Sequence, residues 1–150
     1  MLAAGIGSLR CLVRNVLIVD DDDFFGRMVI RALVKLGCDY TYCADGKECL
    51  EVVRSGMFNY DLILMDIHMP NLIGSEATSI IRTLSSNPLQ HVPIVALTGD
   101  ESWQDPQRPK RAGFTGFLNK PRNMQDLHID ISAEIAALYD PPLRMVADRR

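Results

Sequence analysis

Asp61-Leu62-Ile63-Leu64-Met65-Asp66-Ile67-His68-Met69-Pro70 is an apolar run set between two aspartates and closed by a proline turn. An apolar run with no polar alternation predicts a strand buried on both faces, here Leu62 to Met65, and such strands belong inside parallel sheets. Asp66, just past the strand, is the candidate nucleophile around which the chain is built.

The pattern recurs on either side. Val16-Leu17-Ile18-Val19 runs into four aspartates at 20 to 23, Tyr40 to Cys43 makes a second short strand, Ile94 to Leu97 a fourth before Thr98, and Gly116 to Leu118 a fifth before Asn119-Lys120-Pro121. Helices are predicted between them. Phe25, Met28, Val29, Ala32, Leu33 and Leu36 fall at helical spacing ahead of Gly37, and Cys49, Leu50 and Val53 do so within Lys47 to Ser55. Ala77, Ile80, Ile81 and Leu84 mark a third helix over Gly74 to Leu84. Leu127, Ile131, Ile135 and Leu138 mark a last one from about Met124 to Tyr139, ended by Pro141-Pro142.

Strands alternating with helices predict an α/β fold, a doubly wound parallel sheet covered on both faces with right-handed crossovers. All strands of such a sheet point the same way, so residues just past their ends share one rim, where ligands bind. Asp20, Asp21, Asp66, Thr98 and Lys120 all stand at strand ends. If the first and third strands are neighbours, about 4.8 Å apart, their carboxylates crowd and repel unless a cation intervenes. Hard oxygen ligands with open water positions suit Mg2+, which bridges carboxylates to phosphate oxygens. Lys120 can place its charge on a phosphate oxygen and the Thr98 hydroxyl can donate to another, which leaves Asp66 to attack phosphorus. Taken singly, each residue has an ordinary reading: Asp22 and Asp23 suit a helix start, Asp66 a turn, and Lys120 before proline a surface. Their joint placement at four strand ends is what the ordinary readings leave unexplained.

Composition narrows the class. With 150 residues, 47% hydrophobic and 23% charged, the chain suits one globular domain. A net charge of -3 and pI near 5.5 give no basic field for nucleic acid, and no run approaches the roughly 20 apolar residues that cross a bilayer. Cys11, Cys38, Cys43 and Cys49, with the scattered histidines at 68, 91 and 128, lack zinc-site spacing and suit reduced, half-buried thiols in an intracellular, cytoplasmic protein. Residues 1–14 are expected to be an N-terminal extension or linker remnant, in which Leu2, Ile6, Leu9 and Val13 would share a face if helical. Residues 15–139 are expected to form the domain and 140–150 a tail.

The segments Val16 to Asp21, Leu62 to Pro70, Pro93 to Thr98 and Gly116 to Pro121 closely resemble the receiver domain of two-component response regulators over residues 15 to 139. The resemblance implies a flavodoxin-like sheet of order 2-1-3-4-5 and transfer of a phosphoryl group from a phosphohistidine to Asp66 with Mg2+. It assigns the metal to Asp20, Asp21, Asp66 and the His68 backbone carbonyl, the phosphate to Thr98 and Lys120, and a switching role to Thr98 and Phe117. The donor would be a histidine kinase or histidine phosphotransfer protein. Gly74 to Arg82 also resembles the third helix of receivers attached to hybrid kinases, which argues for a kinase-fused origin or a phosphorelay. Such a domain is no turnover enzyme; it catalyses only its own phosphorylation and dephosphorylation.

Departures from the family pattern concern the fourth helix. Pro106 and Pro109 cannot both sit in a regular helix, so helix four is expected to be short, displaced or unwound. Trp103 is read as a packing residue, Ile73 stands where the family often has Asp, and the His68 side chain is expected to face solvent. The damaged helix four suggests an alternative, a degenerate receiver that binds protein without phosphorylation. A dehalogenase-type phosphatase would need a second Asp two residues after Asp66, where His68 stands. A flavodoxin-like cofactor site would need a Gly, Ser and Thr loop after the first strand, where four aspartates stand.

Overall fold

The computed structural model describes residues 13–139 except 104, 106, 122 and 123. The expectations for residues 1–12, Cys11 among them, for the tail at 140–150 and for Pro106 lie outside the described residues. Five strands, β1 (Asn15–Val19), β2 (Asp39–Cys43), β3 (Leu62–Asp66), β4 (Ile94–Thr98) and β5 (Gly116–Asn119), form one parallel sheet of order β2-β1-β3-β4-β5. Helices α1 (Asp23–Lys35), α2 (Gly46–Ser55), α3 (Gly74–Thr83), α4 (Gln107–Ala112) and α5 (Leu127–Tyr139) connect and follow them. The sheet, its order and its helical layers agree with the expected fold.

Period-two alternation divides the strand side chains between two cores. Val16, Ile18, Leu62, Leu64, Val95 and Leu97 pack with Phe25, Val29 and Leu33 of α1 and with Leu127, Ile131 and Ile135 of α5. Leu17, Val19, Ile63, Met65, Ile94 and Ala96 pack on the other face with α2, α3, Trp103 and Phe114. Each fully buried aliphatic side chain of this kind contributes roughly 1.5 to 3 kcal/mol. Val13 joins the α1 and α5 side, and the N–H groups of Arg14 and Asn15 donate to Asp61 Oδ2 at 2.9 and 3.0 Å, fixing the entry of β1 beside that of β3.

Local chemistry sets the helix ends. Asp22 caps α1 by accepting from Phe24 N and Phe25 N, and Asp45 caps α2 by accepting from Glu48 N while Glu48 returns the bond to Ala44 N. Ile73 at the start of α3 offers no such cap. Arg82 of α3 donates from Nε to the Gly113 carbonyl at 2.9 Å and from Nη1 to the carbonyls of Gln90 and Val92 at 3.0 and 2.7 Å. One guanidinium thus joins α3 to the approaches of β4 and β5.

The fourth helix is short, as expected. A 3-10 turn at Glu101–Trp103 precedes α4, which has six residues, and Pro109 is its third, within the first turn where a missing N–H leaves no intrahelical acceptor unpaired. Trp103 is buried, edge-on to Phe114 with ring centroids 6.2 Å apart, and carries the Arg108 guanidinium 4.1 Å from its ring centre. It packs, as its sequence context suggested.

Candidate functional site

Parallel register brings the C-terminal ends of β1, β3, β4 and β5 to one edge. Val19 pairs with Met65, Asp66 with Leu97, and Thr98 with Asn119, so Asp20, Asp66, Thr98 and Lys120 emerge on neighbouring strands. Asp20 and Asp66 are almost completely buried, Asp21 is exposed, and oxygens of all three lie within 4.8 Å of one another. Lys120 Nζ lies 3.0 Å from Asp20 Oδ2 and 3.3 Å from Asp66 Oδ1, and 4.5 Å from the ring centre of Phe25. One ammonium therefore faces two buried carboxylates and an exposed third.

This imbalance shows in the acidities. Burial, then the neighbouring charge of Asp20, pushes the Asp66 carboxyl up to about 7 in spite of Lys120. Burial likewise raises Asp20, against its bond from the Asp22 main chain and the pull of Lys120. Burial draws the Lys120 ammonium down, but Asp20 and Asp66 together hold it above its ordinary value. Asp20 Oδ2 is buried and makes no hydrogen bond, its one near partner being the Lys120 charge. Three hard oxygen donors, more negative charge than one lysine balances, and a buried carboxylate oxygen that faces only the Lys120 charge among the described residues fit a divalent cation such as Mg2+.

The flanking residues stand as follows. Thr98 is buried, and its Oγ1 accepts from Asp100 N at 3.0 Å, which leaves its O–H free to donate. Phe117 is half-buried against the α2 and α3 side core. The His68 side chain is mostly exposed, and its Nε2 lies 3.0 Å from Asp100 Oδ2, a bridge between the loops after β3 and β4. Asp22 and Asp23 are apart from the three-oxygen cluster, Asp22 as the cap and Asp23 paired with Arg27 at 2.7 Å.

Sequence reasoning missed three supports of this site. Gly74 donates its N–H to Ile67 O at 2.8 Å, and a Cβ there would collide with the Asp66 carbonyl oxygen. Tyr42 donates its hydroxyl to the Asp20 carbonyl at 2.6 Å, while burial and then the nearby aspartate charges push that phenol up and keep it a donor. The third is the His68–Asp100 bridge. A Gly opening a helix is a signal that sequence offers; a tyrosine next to a cysteine in a short strand is not. Cys38, Cys43 and Cys49 are buried rather than half-buried and in no disulfide; the Cys38 thiol donates to the Val13 carbonyl at 3.5 Å, and burial pushes the thiols of Cys43, up to about 12, and Cys49 away from the thiolate form.

A doubly wound α/β domain with an aspartate at the end of β3, facing an acidic pair and a lysine, defines a recognisable class. The response regulator receiver domain matches residues 16–132, and the chain belongs to that family, the receiver domains of two-component signalling. It is 32% identical over 133 residues to hybrid signal transduction histidine kinase I of Dictyostelium discoideum, covering 87% of this chain and 8% of that protein. It is 37% identical over 127 residues to transcription factor SKN7 of Candida albicans, covering 85% of this chain and 21% of that protein. The chain thus spans a small part of these relatives. The solved structure of the Vibrio cholerae chemotaxis response regulator CheY4 superposes with TM-score 0.68 at 31% identity, over 81% of this chain and 98% of that one. No helix among the described residues is long and apolar enough to cross a membrane.

Proposed function

We propose that this domain takes a phosphoryl group from a phosphohistidine onto Asp66 and thereby switches a protein-binding face. The observation that carries this is Asp66 itself, buried beside Asp20 and 3.3 Å from the Lys120 ammonium. An Asp66 oxygen forms the new P–O bond as the P–N bond to the donor imidazole breaks, and the departing electron pair returns to the imidazole nitrogen. Asp20, Asp21 and Asp66, with the His68 backbone carbonyl, would hold Mg2+, which when bound offsets the charge between carboxylate and phosphoryl oxygens. Lys120 and the free Thr98 O–H bind phosphoryl oxygens, and Thr98 and Phe117 carry the change toward the α4, β5 and α5 face. The domain is no turnover enzyme and catalyses only its own phosphorylation and dephosphorylation.

Hybrid kinases among the relatives favour a histidine kinase, fused or separate, or a histidine phosphotransfer protein as donor. The acidic balance favours cytoplasmic protein partners over nucleic acid. A six-residue α4 favours the second reading, a receiver that binds its partner without phosphorylation. Incubation with acetyl phosphate separates the two. The expected result is one phosphoryl group per chain, dependent on Mg2+ and absent from Asp66→Asn. Absence of label on wild type, or equal label on the variant, overturns the phosphoacceptor reading and leaves the second.

A further inference from the structure

Tyr42 stands on β2 with its ring against Gly26 of α1, where a Cβ would come within 2.6 Å of the ring carbon Cε2. Only a residue without a side chain lets the ring lie there, and from there its hydroxyl reaches the Asp20 carbonyl at 2.6 Å. That carbonyl is just beyond the ladder: β1 pairs with β2 as far as Val19 with Cys43, and with β3 as far as Val19 with Met65. The Asp20 N–H still donates to Cys43 O at 3.1 Å, but its C=O has passed the last strand residue able to serve it. Tyr42 supplies by side chain the donor that the sheet no longer supplies by main chain.

Asp20 is then held at three atoms. Its N–H is on Cys43, its C=O is under Tyr42, and its Oδ1 accepts from Asp22 N at 2.8 Å. What remains is Oδ2, the buried oxygen that faces Lys120. The oxygen gripped by Tyr42 belongs to the peptide unit joining Asp20 to Asp21, and a trans peptide is a rigid plane. Fixing one edge of that plane fixes how the buried and the exposed carboxylate are set relative to each other.

We propose that Tyr42 is a positioning residue for the acidic pair, setting Asp20 and Asp21 to take Mg2+ through its hydroxyl bond to the main chain between them. This rests on the phosphoacceptor reading above. Groups that orient metal ligands from behind typically change metal affinity by about ten- to a hundredfold when they act on the ligand itself. Tyr42 acts through the backbone, and the single neutral hydrogen bond it offers corresponds to about three- to tenfold.

Tyr42→Phe keeps the ring and deletes the donor. Mg2+ is titrated into the full chain and followed through the amide resonances of Asp21 and Asp66, with thermal unfolding in chelator measured beside it. The expected Kd for Mg2+ rises about three- to tenfold. Acetyl phosphate labelling slows when Mg2+ is scarce and recovers toward wild type when Mg2+ saturates, a split that a merely structural role would not produce. Gly26→Ala, which pushes the ring from the other side, serves if Tyr42→Phe fails to fold, and the same weakening is expected of it. Wild-type Mg2+ affinity in whichever variant folds overturns the role of Tyr42. A wild type that neither binds Mg2+ nor takes label defeats the phosphoacceptor reading instead, so the two failures are distinguishable.

Discussion

Asp66→Asn is expected to stabilise the metal-free domain, and increasingly so as pH rises. The wild-type carboxyl goes from 3.8 to about 7 on folding, through burial first and the charge of Asp20 second. Between those two values the folded chain binds more protons than the unfolded chain, so stability falls as pH rises through the window and levels off above the folded value. With these values, the loss from Asp66 alone between about pH 5 and pH 8 is roughly 2 to 3 kcal/mol. Asparagine matches the side chain in shape and carries no charge to desolvate. It loses the attraction of Lys120 at 3.3 Å, but Lys120 keeps Asp20 at 3.0 Å, and Asp20 is itself relieved of a like charge. Urea unfolding in chelator, followed by far-ultraviolet circular dichroism from about pH 5 to pH 8, measures this directly. The wild-type curve should fall away from that of the variant by the stated amount, and Mg2+ should flatten the wild-type curve only. Parallel curves, or a variant that loses stability faster with pH, would refute the account of Asp66 as a desolvated, crowded carboxylate.

Gly74→Ala places a methyl group against the Asp66 carbonyl oxygen, which is expected to cost about 2 kcal/mol or more and to slow labelling by acetyl phosphate, read by thermal unfolding and by phosphoryl incorporation. Arg82→Met strips the carbonyls of Gln90, Val92 and Gly113 of their donors, an expected loss of roughly 2 to 4 kcal/mol in urea unfolding. Lys120→Gln removes the ammonium shared by Asp20 and Asp66, and carboxyl carbon resonances should then titrate about one unit or more higher for Asp66. The same variant is expected to take label from acetyl phosphate far more slowly than wild type at equal Mg2+, because one of its phosphate-binding groups is gone.

Much of this was legible in order along the chain. Apolar runs of four residues have one cheap solution, a strand buried on both faces, and helical spacing around Phe25, Val29 and Leu33 has another. With the sheet parallel, the rim residues follow from strand ends alone, so Asp20, Asp21, Asp66, Thr98 and Lys120 could be found without coordinates. Strand bounds were short by a residue where the last residue is polar yet paired, as for Asp66, Thr98 and Asn119. Pro106 and Pro109, three apart, together announced a helix four that is short, displaced or unwound, and α4 is short. The supports were not legible, because each joins residues distant in sequence: the side chains of Tyr42 and Arg82 on the main chain of Asp20 and Gly113, and the side chain of His68 on that of Asp100. Nothing in a strand residue such as Tyr42 says which carbonyl its hydroxyl will meet.

Arg82 is charged, yet its three main-chain acceptors are all uncharged carbonyls, and its remaining bond, 3.3 Å to Thr115 Oγ1, is to a hydroxyl. Salt screens pairs of charges far more than it screens a guanidinium lodged against carbonyl dipoles, and no proton within the working range alters either partner. The brace between α3 and the approaches to β4 and β5 is therefore indifferent to the ionic surroundings. At the opposite edge of the sheet, every contact among Asp20, Asp66 and Lys120 responds to pH and to cations. The domain keeps its environmental sensitivity at one end of the strands and an insulated anchor at the other, so a change in ionic conditions can reset the site without loosening the frame that holds it.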